Sequence, residues 1–329
     1  MKTNKAKLLL ITAVLALPVK RAAAEVFLPE PDGARTRAEE PSAADKRWFF
    51  DKVGAPAFWT LSRGSRAVKV LVCDTGVEAS HPDLRGNVGP GKNFVDGSDN
   101  TAPTGNGHGT RVAGLIGARG GHDGAGAFGL NYEVTVVPGK ISNAASGEAV
   151  HTDTAKCVRW GADQGIRVVN LSYGGALDNP DVQAAAKYLY EKGGLLLISA
   201  GNAGERLDLP DYPYMLAVGG TDALDWKSPW SNTGPYVDIT APGSNMYTTD
   251  AGGKYAVGRG ASLAAAVASG AAALILSARP DLTAGELKAV LLRSALDLGT
   301  SGRDEAFGEG RVDLKKALEL LKSGPVPAN

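Results

Sequence analysis

Residues 258–270 read GRGASLAAAVASG, and the rest of the chain is organised around this stretch. Ser262, preceded by Gly258 and Gly260, lies where a loop turns into an alanine-rich helix. At such a position its hydroxyl is beside the unpaired N–H groups and the positive dipole end of the helix, which can hold an oxyanion as it forms. The same pattern is typical of a serine that only caps a helix. Other stretches of the chain must decide between a nucleophile and a cap.

The composition indicates a soluble α/β protein without an overall basic character. The chain has 329 residues, 43% of them hydrophobic, and 43 glycines, which suits one large or two medium globular domains with tight turns. Lysine plus arginine and aspartate plus glutamate number 35 each, so no basic field points to nucleic acid. We therefore expect no nucleic-acid partner.

Apolar strand patterns alternate with helical patterns along the chain. VKVLVCD, residues 68–74, is a nearly continuous apolar run that predicts a strand buried on both faces of a parallel sheet. A short helical turn is expected within 47–59. Further strands are predicted over 134–141, 166–175, 194–204, 215–220 and 237–243, and helices over 151–164, 179–192, 262–277, 283–297 and 312–322. This alternation predicts one α/β domain, a parallel sheet with helices on both faces.

Three polar residues stand at ends of these elements. Asp74 closes the strand over 68–74, His108 lies on the first turn of a helix after the glycine-rich GNG, and Asn202 lies at the tip of the strand over 194–204. The carboxyl ends of parallel strands are where ligands sit in open α/β sheets. Taken alone, Asp74 suits a turn cap equally well, and a lone histidine is more often structural than catalytic. Together with Ser262, however, they offer the acid, base and hydroxyl of acyl transfer, in which the histidine takes the serine proton.

At this point the chain closely resembles the subtilisin-like serine proteases, or subtilases. The matching stretches are VLVCDTGVEASHPDL around Asp74, GNGHGTRVAG around His108, ISAGNAG around Asn202 and GRGASLAAAVASG around Ser262. Their order, Asp then His then Ser, is the subtilase order. The resemblance covers about residues 47–320. It implies a three-layer subtilisin-like fold, with a mostly parallel central sheet and helices on both faces.

The resemblance also implies a role for each matching residue. Ser262 would be the nucleophile, His108 the general base and then acid, and Asp74 the residue that orients His108. Asn202 would donate to the oxyanion together with the N–H of Ser262. The implied activity is that of a serine endopeptidase, which hydrolyses peptide bonds through an acyl-enzyme and requires no cofactor for its chemistry.

Two segments are implied to contact a polypeptide substrate. Ser172, Tyr173 and Gly174 would bind the substrate backbone as an added antiparallel strand. Ala200 and Gly201 would form one wall of the main specificity pocket. We expect a monomer with polypeptide as its partner.

Three residues near the serine depart from the family pattern. Ala261, Leu263 and Ala266 stand where the family usually has threonine, methionine and proline. Leu263 removes an oxidisable thioether, so sensitivity to peroxide should be low. Without the proline, the helix start and Ser262 could shift slightly. This leaves open a subtilase-fold acyl transferase or ligase that processes peptides, and, less favoured, an inactive peptide-binding scaffold.

The N-terminus has the features of an export signal. A basic start, the apolar run LLLITAVLALPV and the alanines at 22–24 predict a signal peptide over 1–24, hence a secreted or periplasmic protein with no membrane contact after cleavage. Residues 25–45 read as a linker or short extension, 46–323 as the catalytic domain and 324–329 as a tail. Since about twenty residues cannot form a folded propeptide, we expect unaided folding, assistance by a partner, or a short inhibitory tail.

Cysteines and acidic loops leave two questions open. Cys73 and Cys157 could form one bridge or remain two buried thiols. Asp96, Asp99 and Asn100 in VDGSDN could bind a structural Ca²⁺, although a solvated turn is the favoured interpretation. The glycine-rich loop with His122 and Asp123 is expected to be solvated.

Overall fold

The computed structural model describes residues 26–27, 42–120 and 126–328, and a seven-stranded sheet forms its centre. The predicted signal peptide, most of the predicted linker, and His122 and Asp123 lie outside the described residues. The strands are β1 (Val26–Phe27), β2 (Lys69–Asp74), β3 (Lys92–Asn93), β4 (Thr135–Lys140), β5 (Ala149–Val150), β6 (Val168–Leu171), β7 (Leu195–Ser199), β8 (Met215–Thr221), β9 (Ile239–Pro242), β10 (Met246–Asp250) and β11 (Lys254–Gly258). The order in the central sheet is β3-β4-β2-β6-β7-β8-β9, and every neighbouring pair is parallel.

Helices connect these strands and cover the sheet. They are α1 (Ala43–Lys52), α2 (Ala55–Phe58), α3 (His108–Gly117), α4 (His151–Asp163), α5 (Pro180–Glu191), α6 (Ala261–Ala278), α7 (Ala284–Arg293) and α8 (Leu314–Ser323), with a short 3₁₀ turn over Gly174–Ala176. Most agree with the predicted ranges within a few residues. The predicted strands over 166–175 and 194–204 are exceptions. The first ends at Leu171 and its last residues lie in the 3₁₀ turn, and the second ends at Ser199, so Asn202 lies in the loop after the strand.

Strand β2 shows why the sheet has a helix layer on each side. Val70 and Val72 belong to one apolar core, to which α3 and α6 contribute, whereas Leu71 and Cys73 belong to a second core with α4 and α5. Successive side chains of a strand point to opposite faces, so a continuous apolar run fills both cores. The predicted three-layer architecture is thereby confirmed.

Helix α6 is the central helix of the first core. By length and composition it could cross a membrane, but 89% of it is buried inside the protein. Such burial is typical of a core helix in a globular fold, where a helix apolar all round is surrounded by other elements. Its alanines and Gly270, which lies against Leu130, let neighbouring elements approach closely.

A disulfide resolves the question of the two cysteines. Cys73 of β2 is bonded to Cys157 of α4, with their Cα atoms 6.2 Å apart. Gly139 on the neighbouring strand β4 leaves the space that the Cys157 sulfur occupies, because a Cβ there would clash with it. The bridge ties the strand that ends in Asp74 to the helix layer behind it.

Two parts of the segment predicted as a linker form regular secondary structure. Helix α1 begins at Ala43, before the predicted domain boundary at residue 46, because Ser42 and Asp45 form a capping box. Within the segment predicted as a linker, β1 pairs antiparallel with β5, in the register Val26 with Val150. This pairing matters for the functional site.

The hairpin β10–β11 is absent from the sequence prediction. Its first strand reads MYTTD, and all five residues are buried although three are polar. The hydroxyls of Thr248 and Thr249 donate to the carbonyls of Arg111 and Thr110 in α3, at 2.8 and 2.7 Å. These hydrogen bonds replace those that the hydroxyls would make with water. Polar residues can therefore be buried in a strand that would be expected to be apolar.

Candidate active site

Asp74 and His108 meet at the carboxyl end of β2. Nδ1 of His108 lies 2.8 Å from Oδ1 and 2.9 Å from Oδ2 of Asp74, and both side chains are fully buried. Oδ1 also accepts a hydrogen bond from the N–H of Thr75, at 2.7 Å. An ionised carboxylate can only accept, so Nδ1 carries the proton. In the neutral imidazole, Nε2 therefore carries the lone pair of a base.

Glycines allow α3 to start this close to β2. Gly107 precedes the helix in the left-handed conformation, with φ of 71°. A Cβ at Gly109 would clash with the carbonyl oxygen of Gly76 and lie 3.0 Å from Cβ of Asp74. A glycine beside a candidate catalytic residue can clear space for a substrate. At Gly109 the structure gives a different reason, the close packing of the helix on the strand end.

Ser262 is the second residue of α6, and Ser172 holds it in place. The Ser262 hydroxyl donates to the carbonyl of Ser172 at 3.3 Å, and the Ser172 hydroxyl donates to the carbonyl of Ser262 at 3.0 Å. Both side chains are fully buried. Ser172, predicted only as a backbone contact for substrate, therefore also fixes the start of α6 through its side chain.

A buried polar network continues from Ser172. The Asn170 amide donates to the Ser172 hydroxyl at 3.0 Å and accepts from the Ser269 hydroxyl at 3.0 Å. The Ser172 hydroxyl thus accepts a hydrogen bond from Asn170 and donates one to the Ser262 carbonyl, and the two bonds together fix its orientation. Neither Asn170 nor Ser269 was predicted. The available signal was a polar residue inside the apolar runs VVNL and AVASGAAA.

Asn202 is anchored to the same helix start. Its Oδ1 accepts from the N–H of Ala261 at 2.7 Å. Since the amide oxygen is the acceptor in this bond, Nδ2 is the end of the group that can donate. The structure therefore brings the Asn202 side chain and the main-chain N–H of Ser262 to one end of α6.

Tyr173 contacts both His108 and the turn that precedes β5. Its ring lies edge-on to the His108 imidazole, with centroids 6.3 Å apart, and its hydroxyl donates to the carbonyl of Gly147 at 3.1 Å. Burial raises the pKa of Tyr173 well above its ordinary value, and the negative charge of Asp74 adds to this. The phenol therefore keeps its proton and remains a hydrogen-bond donor. Ser172 contacts Ser262, and the next residue, Tyr173, contacts His108. Ser262 and His108 therefore lie at the same end of the sheet.

The predicted pocket wall is shaped by a residue that the sequence did not single out. Ala200 is buried, and Gly201 has a φ of 104°, where a Cβ would clash with the Asn232 amide. Oδ1 of Asn232 accepts from the N–H groups of Ala203 and Glu205 at 2.9 and 3.1 Å. Asn232 therefore sets the path of the loop after Asn202. Gly174 lies half-buried in the 3₁₀ turn.

The acidic loop over 95–100 fits a turn whose carboxylates are already engaged. Asp96 accepts from the N–H of Ser98 and from the Asn93 amide, and the Ser98 hydrogen bonds lower the pKa of Asp96. Asp99 lies 3.4 Å from the Lys92 ammonium, and the Asn100 oxygen accepts from a main-chain N–H. Each of these three side chains therefore already has a partner within the protein. No cluster of three His, Cys, Asp or Glu that could hold a metal occurs within 42–120 or 126–328.

Comparisons with known proteins show which family this chain is similar to. The model of the subtilase family matches residues 65–310. Thermitase from Thermoactinomyces vulgaris is 35% identical over 284 residues, which cover 85% of this chain and 98% of thermitase. The major intracellular serine protease of Bacillus subtilis is 33% identical, over 75% of this chain and 81% of that protein. A crystal structure described as a lanthipeptide protease superposes with a TM-score of 0.75 at 27% identity, covering 86% of this chain and 96% of the other.

Proposed function

This chain belongs to the subtilase family and is a serine-type endopeptidase, and from that premise we propose that Asp74, His108 and Ser262 form its catalytic triad. The observation that carries the proposal is the two-oxygen contact of Asp74 with Nδ1 of His108, in a site from which water is excluded. This contact leaves Nε2 of His108 to act as the base towards Ser262. Subtilases need no cofactor for this chemistry.

The proposed reaction begins when the Ser262 hydroxyl turns from the Ser172 carbonyl towards Nε2. Its proton passes to His108 as Oγ attacks the substrate carbonyl, and Asp74 stabilises the imidazolium that forms. The developing oxyanion accepts from the N–H of Ser262 and from Nδ2 of Asn202, which is held by its bond to Ala261. His108 then protonates the leaving amine, and water repeats the sequence to release the acyl group.

The missing proline does not favour acyl transfer over hydrolysis. Ala266, which stands in place of the proline, is the sixth residue of α6. Three hydrogen bonds hold the start of the helix without it: Gly260 to Gly243, Ala261 to Asn202, and Ser262 to Ser172. They argue against the displaced serine on which the transferase alternative rests. Hydrolysis therefore remains our proposal.

The substrate that we propose is an extended stretch of polypeptide. The pairing of β1 with β5 supports this, because it shows that the edge of β5 accepts an antiparallel extended segment. We propose that substrates pair with β5 and with Ser172, Tyr173 and Gly174, while Ala200 and Gly201 line the specificity pocket. The chain's own N-terminal segment competes for β5, in line with a short inhibitory tail.

We further propose that the protein acts outside the cytoplasm, as a monomer. Disulfides persist in oxidising compartments, and Cys73 is bonded to Cys157. Some similar proteases are named intracellular, so this point needs its own test. The chain recovered from its host should begin near residue 25, as its intact mass would show. A full-length chain retained in the cytoplasm would contradict export.

Labelling with a serine-directed peptidyl phosphonate tests the proposed site. Wild type should be labelled stoichiometrically at Ser262, and Ser262→Ala should not be labelled. Ser277→Ala is a matched control, because Ser277 lies on the same helix and its hydroxyl only bonds back to the carbonyl of Ala273. A folded wild type that remains unlabelled would refute the triad. If a competing amine is added and its products exceed the hydrolysis products, the transferase is favoured instead.

A further inference from the structure

The side chain of Tyr173 has no role in the proposed reaction. It is fully buried, its ring makes a T-shaped contact with the His108 imidazole, and its hydroxyl reaches Gly147. Gly147 closes a turn, with φ of 83° and its N–H bonded to the carbonyl of Ala144, two residues before β5. A single side chain therefore contacts both the proposed base and the turn that leads into the proposed substrate-binding strand.

The contacts of Tyr173 restrict it at both ends. Its backbone follows Ser172, whose side chain and carbonyl are bonded to Ser262, so the base of the tyrosine cannot move independently of the nucleophile. Its phenol is buried and must keep a hydrogen-bond partner, since an unpaired buried hydroxyl is costly. A displacement of the Gly147 carbonyl therefore requires a displacement of the Tyr173 ring, and the ring lies against His108.

We propose that Tyr173 is a positioning residue that couples β5 to His108, so that a peptide paired with β5 favours the reactive orientation of the imidazole. This rests on the proposed function. A peptide that adds its backbone to β5 orders that strand and the turn before it. Through the phenol–carbonyl bond it also orders the ring that packs on His108. Residues distant from the scissile bond would then raise kcat and not only lower KM.

Two peptides of different length, cleaved at the same bond, test this coupling. A site is first mapped in denatured casein. The short peptide ends close to the scissile bond, and the long one extends on the N-terminal side far enough to pair with β5. Wild type should show a higher kcat for the long peptide. Tyr173→Phe keeps the ring and removes the hydroxyl that bonds to Gly147, so the long-to-short ratio of kcat should fall about fivefold, the equivalent of one hydrogen bond.

Tyr236→Phe is the matched control. Tyr236 is also fully buried, and its hydroxyl donates to a main-chain carbonyl, that of Ala200, at 2.7 Å. Its loss should affect both peptides alike, because both fill the pocket beside Ala200. A Tyr173→Phe variant with an unchanged ratio, or with equal losses for both peptides, would overturn the coupling and leave Tyr173 a structural residue.

A measurement on the wild type needs no variant. N-methylation of the long peptide at the residue that pairs with β5 blocks the main-chain hydrogen bond without shortening the peptide. Its kcat should fall to that of the short peptide, and an unchanged kcat would overturn the proposal. Phosphonate labelling is run in parallel. Absence of label at Ser262 would mean that the proposed triad is wrong, whereas normal labelling with an unchanged ratio would mean that only the coupling is wrong.

Discussion

Removal of the Cys73–Cys157 disulfide should cost a large part of the stability of this protein. The bridge joins residues 84 apart in sequence. A cross-link over a loop of that length lowers the entropy of the unfolded chain by about 15 cal/mol/K, which corresponds to about 4.6 kcal/mol at 25 °C. Folded proteins are stable by about 5–15 kcal/mol, so the loss would be a substantial fraction of the total.

The assay is guanidinium unfolding followed by the fluorescence of the five tryptophans. Every variant carries Ser262→Ala, so that self-digestion does not distort the transition. Cys73→Ala/Cys157→Ala should lose about 4–5 kcal/mol of unfolding free energy relative to this parent. The parent in reductant should lose a similar amount, whereas the double variant should not respond to reductant. A loss below about 1 kcal/mol in the reduced parent would refute the reasoning from loop length.

Three further predictions concern the site and its surroundings. Asn202→Ala should lower kcat about 10²–10³-fold with little change in KM, as loss of the oxyanion asparagine does in subtilisin. A rise in KM of the same size would contradict that role. Leu263→Met should make activity sensitive to hydrogen peroxide, while the unchanged chain should resist it, as an activity assay after peroxide treatment would show. Burial raises the pKa of Asp238 to about 7, although Lys288 and Arg303 oppose this. Between about pH 4 and 7 the unfolded chain releases this proton and the folded chain keeps it, so the free energy of unfolding should fall as the pH rises, by about 4 kcal/mol in all. Asp238→Asn should flatten that slope in unfolding curves taken from pH 4.5 to 6.5, and an identical slope in both proteins would refute the assignment.

The sequence predicted what depends on local pattern. The apolar run over 68–74 predicted β2, and the glycines around His108 predicted a helix start beside the sheet. Both follow from the burial and backbone preferences of a few neighbouring residues. The position of Asp74 at the strand tip followed from the same pattern.

Contacts between distant segments could not be predicted in this way. Ser172 and Ser262 are 90 residues apart, and the partners of Thr249 and Asp74 lie 139 and 34 residues away. The hairpin β10–β11 was missed because its polar residues are buried by hydrogen bonds to α3, which a hydrophobicity pattern does not reveal. The disulfide remained open for the same reason, since spacing alone does not say which side of a sheet two cysteines share.

The strand order of the sheet determines when during biosynthesis the protein can become active. Strand β2, which supplies Asp74, lies in the middle of the sheet, and its two neighbours, β4 and β6, are both made later. Ser262 follows on α6, which packs on strands that extend to β9. Parallel pairings between distant segments form slowly, after the chain that joins them exists. A nascent chain therefore carries the proposed acid and base, Asp74 and His108, before the proposed nucleophile, and we expect no proteolytic activity until α6 and the strands on which it packs have been made.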